Sequence, residues 1–434
     1  MAAAPMIDRP VYLDKLIRKK EDGFIKIITG MRRTGKSYLL FRIYHQYLLS
    51  TGVDEAHIIE LSLEDDTAIA YRNPLNLGTY IRSRITDDRM YYIILDEIQK
   101  VSAVPNPYVP DGDPITFVDV LLGLMKIRNA DIYVTGSNSR MLSSDILTEF
   151  RGRGEEIRMY PLSYREFLSA YQGDRKGAWT EYYTYGGLPL ILFQRTHEDK
   201  SQYLLSLFDT IYMNDILSRY SIGYDKTVLD DLLNIVASSI GSLTSPLKLS
   251  HVFTTEKKHP ITDDTVAKYL DYFADAFILS KAQRYNVKGK KYISSPAKYY
   301  YADLGLRNAR LNFLQQELTH IMENIIYNEL LVRGFSVDVG IVEWYGKEDG
   351  KTVRKTLEVD FVADKGSTRY YIQSALSVSD PAKLRQETGS LTGIADSFRK
   401  IVVVSEPVVP WHDDSGILYI GVEQFLLDDG AMDL

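Results

Sequence analysis

Eight consecutive residues carry the most specific chemistry in this chain. Gly30-Met31-Arg32-Arg33-Thr34-Gly35-Lys36-Ser37 satisfies the pattern G-x-x-x-x-G-K-[ST] without a mismatch. In such a loop the backbone N–H groups cradle phosphates, and the glycines let the chain curl tightly. Lys36 is placed to reach the β- and γ-phosphates of ATP, and the Ser37 hydroxyl to ligate Mg²⁺. Tyr38, the next residue, completes the candidate nucleotide-binding set. Further along, Asp96-Glu97 closes the apolar run Tyr91-Tyr92-Ile93-Ile94-Leu95. A carboxylate at the C-terminal end of a buried parallel strand points into a phosphate crevice. Asp96 can hold Mg²⁺ through its water shell, and Glu97 can orient or deprotonate the attacking water. In Thr135-Gly136-Ser137-Asn138, either Ser137 or Asn138 can sense the γ-phosphate. The sequence does not choose, and Asn138 is carried as the catalytic candidate. Arg151 and Arg153 flank Gly152, and an arginine there can act as a finger on the γ-phosphate from across a boundary.

These groups need a scaffold that aligns them. Phe24–Thr29 reads as a short buried strand and Tyr38–Tyr44 as the helix that follows the glycine loop. His57–Leu63, Met90–Leu95 and Asp131–Gly136 read as further strands, with helices over Tyr12–Arg18, Asn76–Ile85 and Asp119–Arg128. Strands alternating with helices indicate a parallel sheet covered on both faces. The extra strand at His57–Leu63 together with Glu97 beside Asp96 suggests the additional-strand, catalytic-glutamate class of phosphate-loop NTPase. From Pro161 the pattern turns helical, broken at Gly186-Gly187-Leu188-Pro189. A capped helix from Thr262 or Asp263, with Val266, Leu270, Phe273 and Phe277 apolar, precedes two strands around Ile278–Tyr285 and Lys291–Tyr299. That order resembles a winged helix. A second α/β unit follows, with a helix over His320–Val332 and strands near Ser336, Glu358, Tyr370 and Ile401.

Composition narrows the class. The 434 residues suggest about three domains. The absence of cysteine excludes disulfides, thiolate-bound zinc and thiol catalysis. The seven histidines show no metal-binding spacing. A net charge of −7 argues against a generally basic, phosphate-neutralising surface. No stretch nears the ~20 apolar residues of a membrane span, and the first ten residues lack the pattern of a secretory signal. The expectation is a cytoplasmic protein without membrane contact.

The same motifs, in this order, resemble those of prokaryotic AAA+-type ATPases, in the branch near the archaeal ATPases, that carry a C-terminal domain of unknown function. The resemblance rests on the glycine loop, Leu95-Asp96-Glu97-Ile98-Gln99, Thr135-Gly136-Ser137, Gly152-Arg153 and Pro161–Phe167. It extends through Gly186-Gly187-Leu188-Pro189, Tyr269-Leu270, Lys298-Tyr299-Tyr300, Asp303–Asn308 and Glu323-Asn324. It implies an ATPase domain over 1–160, a helical lid over 161–240, a winged helix over 241–305 and a nuclease-like α/β domain over 306–434. It also favours Arg153 over Arg151 as the finger.

A restriction-nuclease-like fold sets an acid on a helix, an aspartate on one strand and E-x-K on the next. Here Glu323 or Glu329 lies on the helix and Glu358-Val359-Asp360 on a strand, but Gln373 and Ala375 stand where the acid and lysine belong. The sequence therefore predicts a degenerate, non-cutting domain. Arg284–Tyr292 is basic with interleaved tyrosines, which suits a wing on nucleic acid. The helix before it carries Asp263, Asp264, Asp271 and Asp275 against Lys268, so DNA contact is left open but not favoured. The leading expectation is a Mg²⁺-dependent ATPase that presents its C-terminal domains to a protein partner, with oligomerisation left open. The alternatives are a nucleotide-gated switch with little turnover, or a DNA-acting ATPase with residual nuclease function.

Overall fold

The computed structural model describes residues 7–109, 111–136, 150, 152–208, 212–220, 226–257, 260–348, 351–378 and 388–434. The candidates Ser137, Asn138 and Arg151 lie outside them. The chain divides into two units, Met1–Tyr160 and Pro161–Leu434.

In the first unit, α1 (Pro10–Arg18) precedes β1 (Ile25–Thr29), and the glycine loop leads into α2. That helix begins as Lys36–Tyr38, passes through a π-helical stretch at Leu39–Tyr44 and ends as His45–Ser50. Then follow β2 (Ile58–Ser62), α3 (Pro74–Arg84), β3 (Tyr91–Asp96), α4 (Phe117–Leu124), β4 (Ala130–Thr135) and β5 (Gly154–Arg158). The strands form one sheet in the order β2-β3-β4-β1-β5, parallel throughout.

The period-2 alternation of the strands feeds two cores. Ile27, Ile93, Leu95, Ile132 and Val134 pack with Leu77 and Ile81 of α3 and Leu121 and Leu124 of α4. Ile28, Tyr92, Ile94 and Tyr133 pack with Tyr12 and Leu16 of α1 and Leu39, Leu40 and Leu48 of α2. The extra strand at 57–63 is thus observed as β2, but it forms the outer edge. The strand inserted between the loop-bearing β1 and the acid-bearing β3 is β4. Spatial order, unlike chain order, depends on which way each crossover helix packs.

The second unit opens with α5 (Tyr164–Ala170), α6 (Ala178–Tyr185), α7 (His197–Leu207), α8 (Met213–Tyr220) and α9 (Lys226–Ser238). Next come α10 (Pro246–Thr255), α11 (Asp263–Asp275), β6 (Leu279–Asn286), β7 (Lys291–Tyr301), α12 (Leu304–Arg310) and α13 (Leu318–Val332). The rest is β8 (Ser336–Glu348), β9 (Lys351–Lys365), β10 (Thr368–Ala375), β11 (Arg399–Val404), β12 (Trp411–His412), β13 (Leu418–Gly421) and α14 (Val422–Leu427). Thr262 caps α11 by accepting from Thr265 N.

One eight-stranded sheet runs β12-β13-β11-β10-β9-β8-β6-β7. The hairpin read as a wing is therefore part of the C-terminal sheet: β6 pairs parallel with β8, Arg284 opposite Val339 and Asn286 opposite Ile341. The sheet crosses the sequence boundary drawn at 305/306, because backbone pairing between distant strands leaves no local signature. The helical stretch 161–240 is fastened to the same body. Asp303 accepts from Gly187 N at 2.8 Å and Leu306 N at 3.1 Å, and Asn308 Nδ2 donates to Tyr183 O and Thr184 O at the end of α6.

Candidate nucleotide site

The glycine loop lies between the end of β1 and the start of α2, where it can present backbone N–H groups to an anion. Two glycines are required by geometry. Gly30 has φ +133° and a Cβ there would lie 2.1 Å from Met159 O. Gly35 caps α2 in the left-handed region, φ 94°. Lys36 is 5% exposed, and its Nζ donates to Gly30 O and Met31 O, each at 2.9 Å. Burial first of all pushes its pKa down to about 8, against the raising influence of Glu97 and Asp96.

The Ser37 hydroxyl donates to Asp96 Oδ1 at 2.9 Å, so the two expected Mg²⁺ residues share one point in space. A hydroxyl and a carboxylate side by side are the hard oxygen donors that Mg²⁺ prefers. Burial raises the Asp96 pKa, against the hydrogen bonds from Thr135 and Ser37. Glu97 follows in the left-handed region, φ 54° and ψ 48°, which turns the chain sharply after β3. Because β4 lies between β1 and β3, its terminal Thr135 reaches both acids. Its hydroxyl donates to Asp96 Oδ1 and accepts from Glu97 N at 3.0 Å. Gln99 Nε2 donates to Glu97 Oε2.

A family profile described as an AAA domain matches residues 22–168. The chain is 33% identical to an uncharacterized protein of Haemophilus influenzae over 97% of its own length and 99% of the relative's. The chain belongs to the AAA+-type ATPases. A second profile, domain of unknown function DUF8612, covers residues 176–317. An uncharacterized protein of Methanocaldococcus jannaschii is 26% identical over 98% of this chain and 88% of that one. Among solved structures, a Walker-type ATPase of Pyrococcus abyssi aligns at 12% identity over 70% of this chain and 96% of its own, with a TM-score of 0.48.

In this member of the AAA+ family the structure brings together the expected Lys36, Ser37, Asp96 and Glu97 and adds three groups that the sequence reading did not name as candidates. Thr135 stood in the motif quoted for Ser137 and Asn138, and Gln99 in the motif around Glu97. Arg9 had no signal at all. It is 2% exposed, and its guanidinium donates to Thr34 O at 2.9 Å and Tyr160 O at 2.7 Å, tying the phosphate loop to the last residue of the unit.

Arg153 is placed far from the glycine loop of its own chain. Its carbonyl accepts from Ile25 N at the start of β1, whereas Gly30 follows the end of that strand. Five residues at about 3.3 Å each separate them by roughly 16 Å. Its side chain is exposed.

The nuclease-like candidates also converge. Glu323 of α13 joins Glu358 and Asp360 of β9, while Glu329 is taken up by Arg333 at 2.7 Å. A lysine is present after all, but from β7: Lys298 Nζ lies 2.7 Å from Glu323 Oε1, 2.8 Å from Glu358 Oε1 and 3.5 Å from Asp360 Oδ1. Burial opposes both charges. Even so, the three acids hold Lys298 above its ordinary value, and Lys298 holds Glu323 below its own. Asp360 is raised, by burial first and then by Glu323. Among the described residues no helix is long and apolar enough to cross a membrane.

Proposed function

We propose that this chain binds ATP at the glycine loop, hydrolyses it with Mg²⁺, and passes the nucleotide state to residues 161–434, which engage a protein partner. The observation that carries this is the convergence of Lys36, Ser37, Thr135, Asp96 and Glu97 at the carboxyl ends of three adjacent strands. Mg²⁺, when bound, would neutralise charge on the nucleotide's phosphates. Ser37 and Asp96 are the residues that would hold it.

Lys36 exchanges its two carbonyl acceptors for phosphate oxygens when nucleotide arrives. Thr135 keeps Asp96 oriented and fixes the backbone from which Glu97 projects. Glu97 accepts the proton of the attacking water. Arg153, at the opposite end of β1 from its own site, acts on the γ-phosphate of a second copy. Of the γ-phosphate sensors, Asn138 is retained with Ser137 as its alternative, and Thr135 orients the strand end that leads to both.

Phosphate release from the purified full chain, with and without DNA, tests this proposal. The expected result is Mg²⁺-dependent turnover that DNA leaves unchanged and that Glu97→Gln abolishes while ATP still binds. Failure of Lys36→Ala to weaken ATP binding sinks the site. The hold of Gln99 on the Glu97 carboxylate favours a second reading, a switch that rests with its base engaged and turns over little. Wild-type turnover no faster than that of Glu97→Gln selects that switch. The C-terminal domain is proposed not to cut DNA, since Gln373 replaces the second strand acid and accepts from Asp360 N, and Lys298, arriving from β7 in place of a lysine at Ala375, is tied up by Glu323, Glu358 and Asp360.

A further inference from the structure

We infer that the carboxylate constellation of the C-terminal sheet is a cation locus filled by the protein's own Lys298 ammonium, and that it takes a divalent ion only when that lysine is removed. This deepens the non-cutting proposal and does not depend on the ATPase assignment.

Lys298 is 3% exposed, and its Nζ sits among one oxygen from each of Glu323, Glu358 and Asp360. An ammonium has three donors and no acceptor, which suits three carboxylates around it. A divalent ion collecting those same oxygens needs them at about 2.0–2.6 Å. It would have to stand where Nζ stands, and two cations cannot share that point. Asp360 and Glu323 are held by further contacts. Asp360 Oδ2 accepts from Ser374 N at 2.9 Å, and Gln373 Oε1 from Asp360 N at 3.3 Å. Glu323 Oε1 also accepts from Tyr300 Oη at 2.6 Å, and Glu323 Oε2 lies 3.8 Å from His320 Nδ1. Among the described residues no group of three acids or histidines is arranged to hold a metal.

The locus sits where the sheet opens. The pairing of β9 with β10 runs to Phe361 opposite Ile372, and the next residues, Asp360 and Gln373, bond through side chains instead. Lys298 approaches from β7, the far edge of the same sheet, and so pins that edge to α13 and β9.

The test is Mn²⁺ titration followed by electron paramagnetic resonance, on the full chain without nucleotide. Every protein carries Asp96→Asn to silence the ATP site. With Lys298 present, no bound Mn²⁺ should depend on Asp360. Lys298→Ala should take one Mn²⁺ per chain, at least about tenfold tighter than with Lys298 in place, and adding Asp360→Asn should remove it. A folded Lys298→Ala protein that gains no Mn²⁺ overturns the inference. Lys298→Met keeps the apolar stem and serves if the alanine variant does not fold. If neither folds, the Lys298-containing protein decides: Mn²⁺ that it binds and that Asp360→Asn abolishes refutes the inference, and none supports it. Plasmid cleavage in the same samples is scored separately, so cutting by the wild type overturns the non-cutting proposal whatever the Mn²⁺ result.

Discussion

Raising the pH should weaken ATP binding through Lys36. Burial holds its pKa at about 8 rather than 10.5 in the nucleotide-free protein. The phosphates of ATP restore a counter-charge, so the bound state keeps the proton and binding above pH 8 requires proton uptake. At pH 7.5 about three quarters of the sites carry the charge, and at pH 9.5 about 3% do. Affinity should therefore fall roughly twenty-fold across that range, about 2 kcal/mol. The stability consequence has the opposite sign. Between pH 8 and 10.5 the unfolded chain holds more of this proton, so the nucleotide-free protein gains stability as pH rises through the window. The gain is about 3 kcal/mol for a shift of that size. Lys36→Met keeps the stem and removes the charge, so both slopes should vanish and ATP binding should be lost. Fluorescent-nucleotide titrations and thermal melts between pH 7.5 and 9.5 measure both. An affinity flat across that range, or a methionine variant that binds as wild type does, would refute the role given to Lys36.

Glu97→Gln should retain ATP affinity and reduce turnover by at least about 10²-fold, measured by phosphate release. Arg153→Ala should lower turnover by about 10³-fold or more while affinity changes little. Mixing it with Lys36→Ala should restore activity if the finger serves a second copy, and no restoration would count against that geometry. Thr135→Val should cost about 1–3 kcal/mol of stability, because Asp96 and Glu97 N each lose a buried partner, and should slow turnover. Arg9→Ala strands the carbonyls of Thr34 and Tyr160 and should lower the melting temperature and ATP affinity together, whereas an unchanged affinity would separate Arg9 from the loop.

What the chain alone determined is what depends on neighbours in sequence. The glycine loop, the acid pair after an apolar strand and the capped helix at Thr262 are local patterns, because backbone curvature, strand burial and helix capping act over a few residues. That Lys36, Ser37, Asp96 and Glu97 come together was legible for that reason. Only the tertiary structure decided which strand stands between β1 and β3, and with it the bridging role of Thr135. It also decided the distance of Arg153 from its own loop, the fusion of the hairpin into the C-terminal sheet and the arrival of Lys298 among acids 25 to 62 residues away in the chain. Each of these is a pairing across long sequence separation. Nothing in the residues themselves marks the partner, since a strand edge accepts any strand and a lysine any carboxylate, and the choice is made by how the two cores pack.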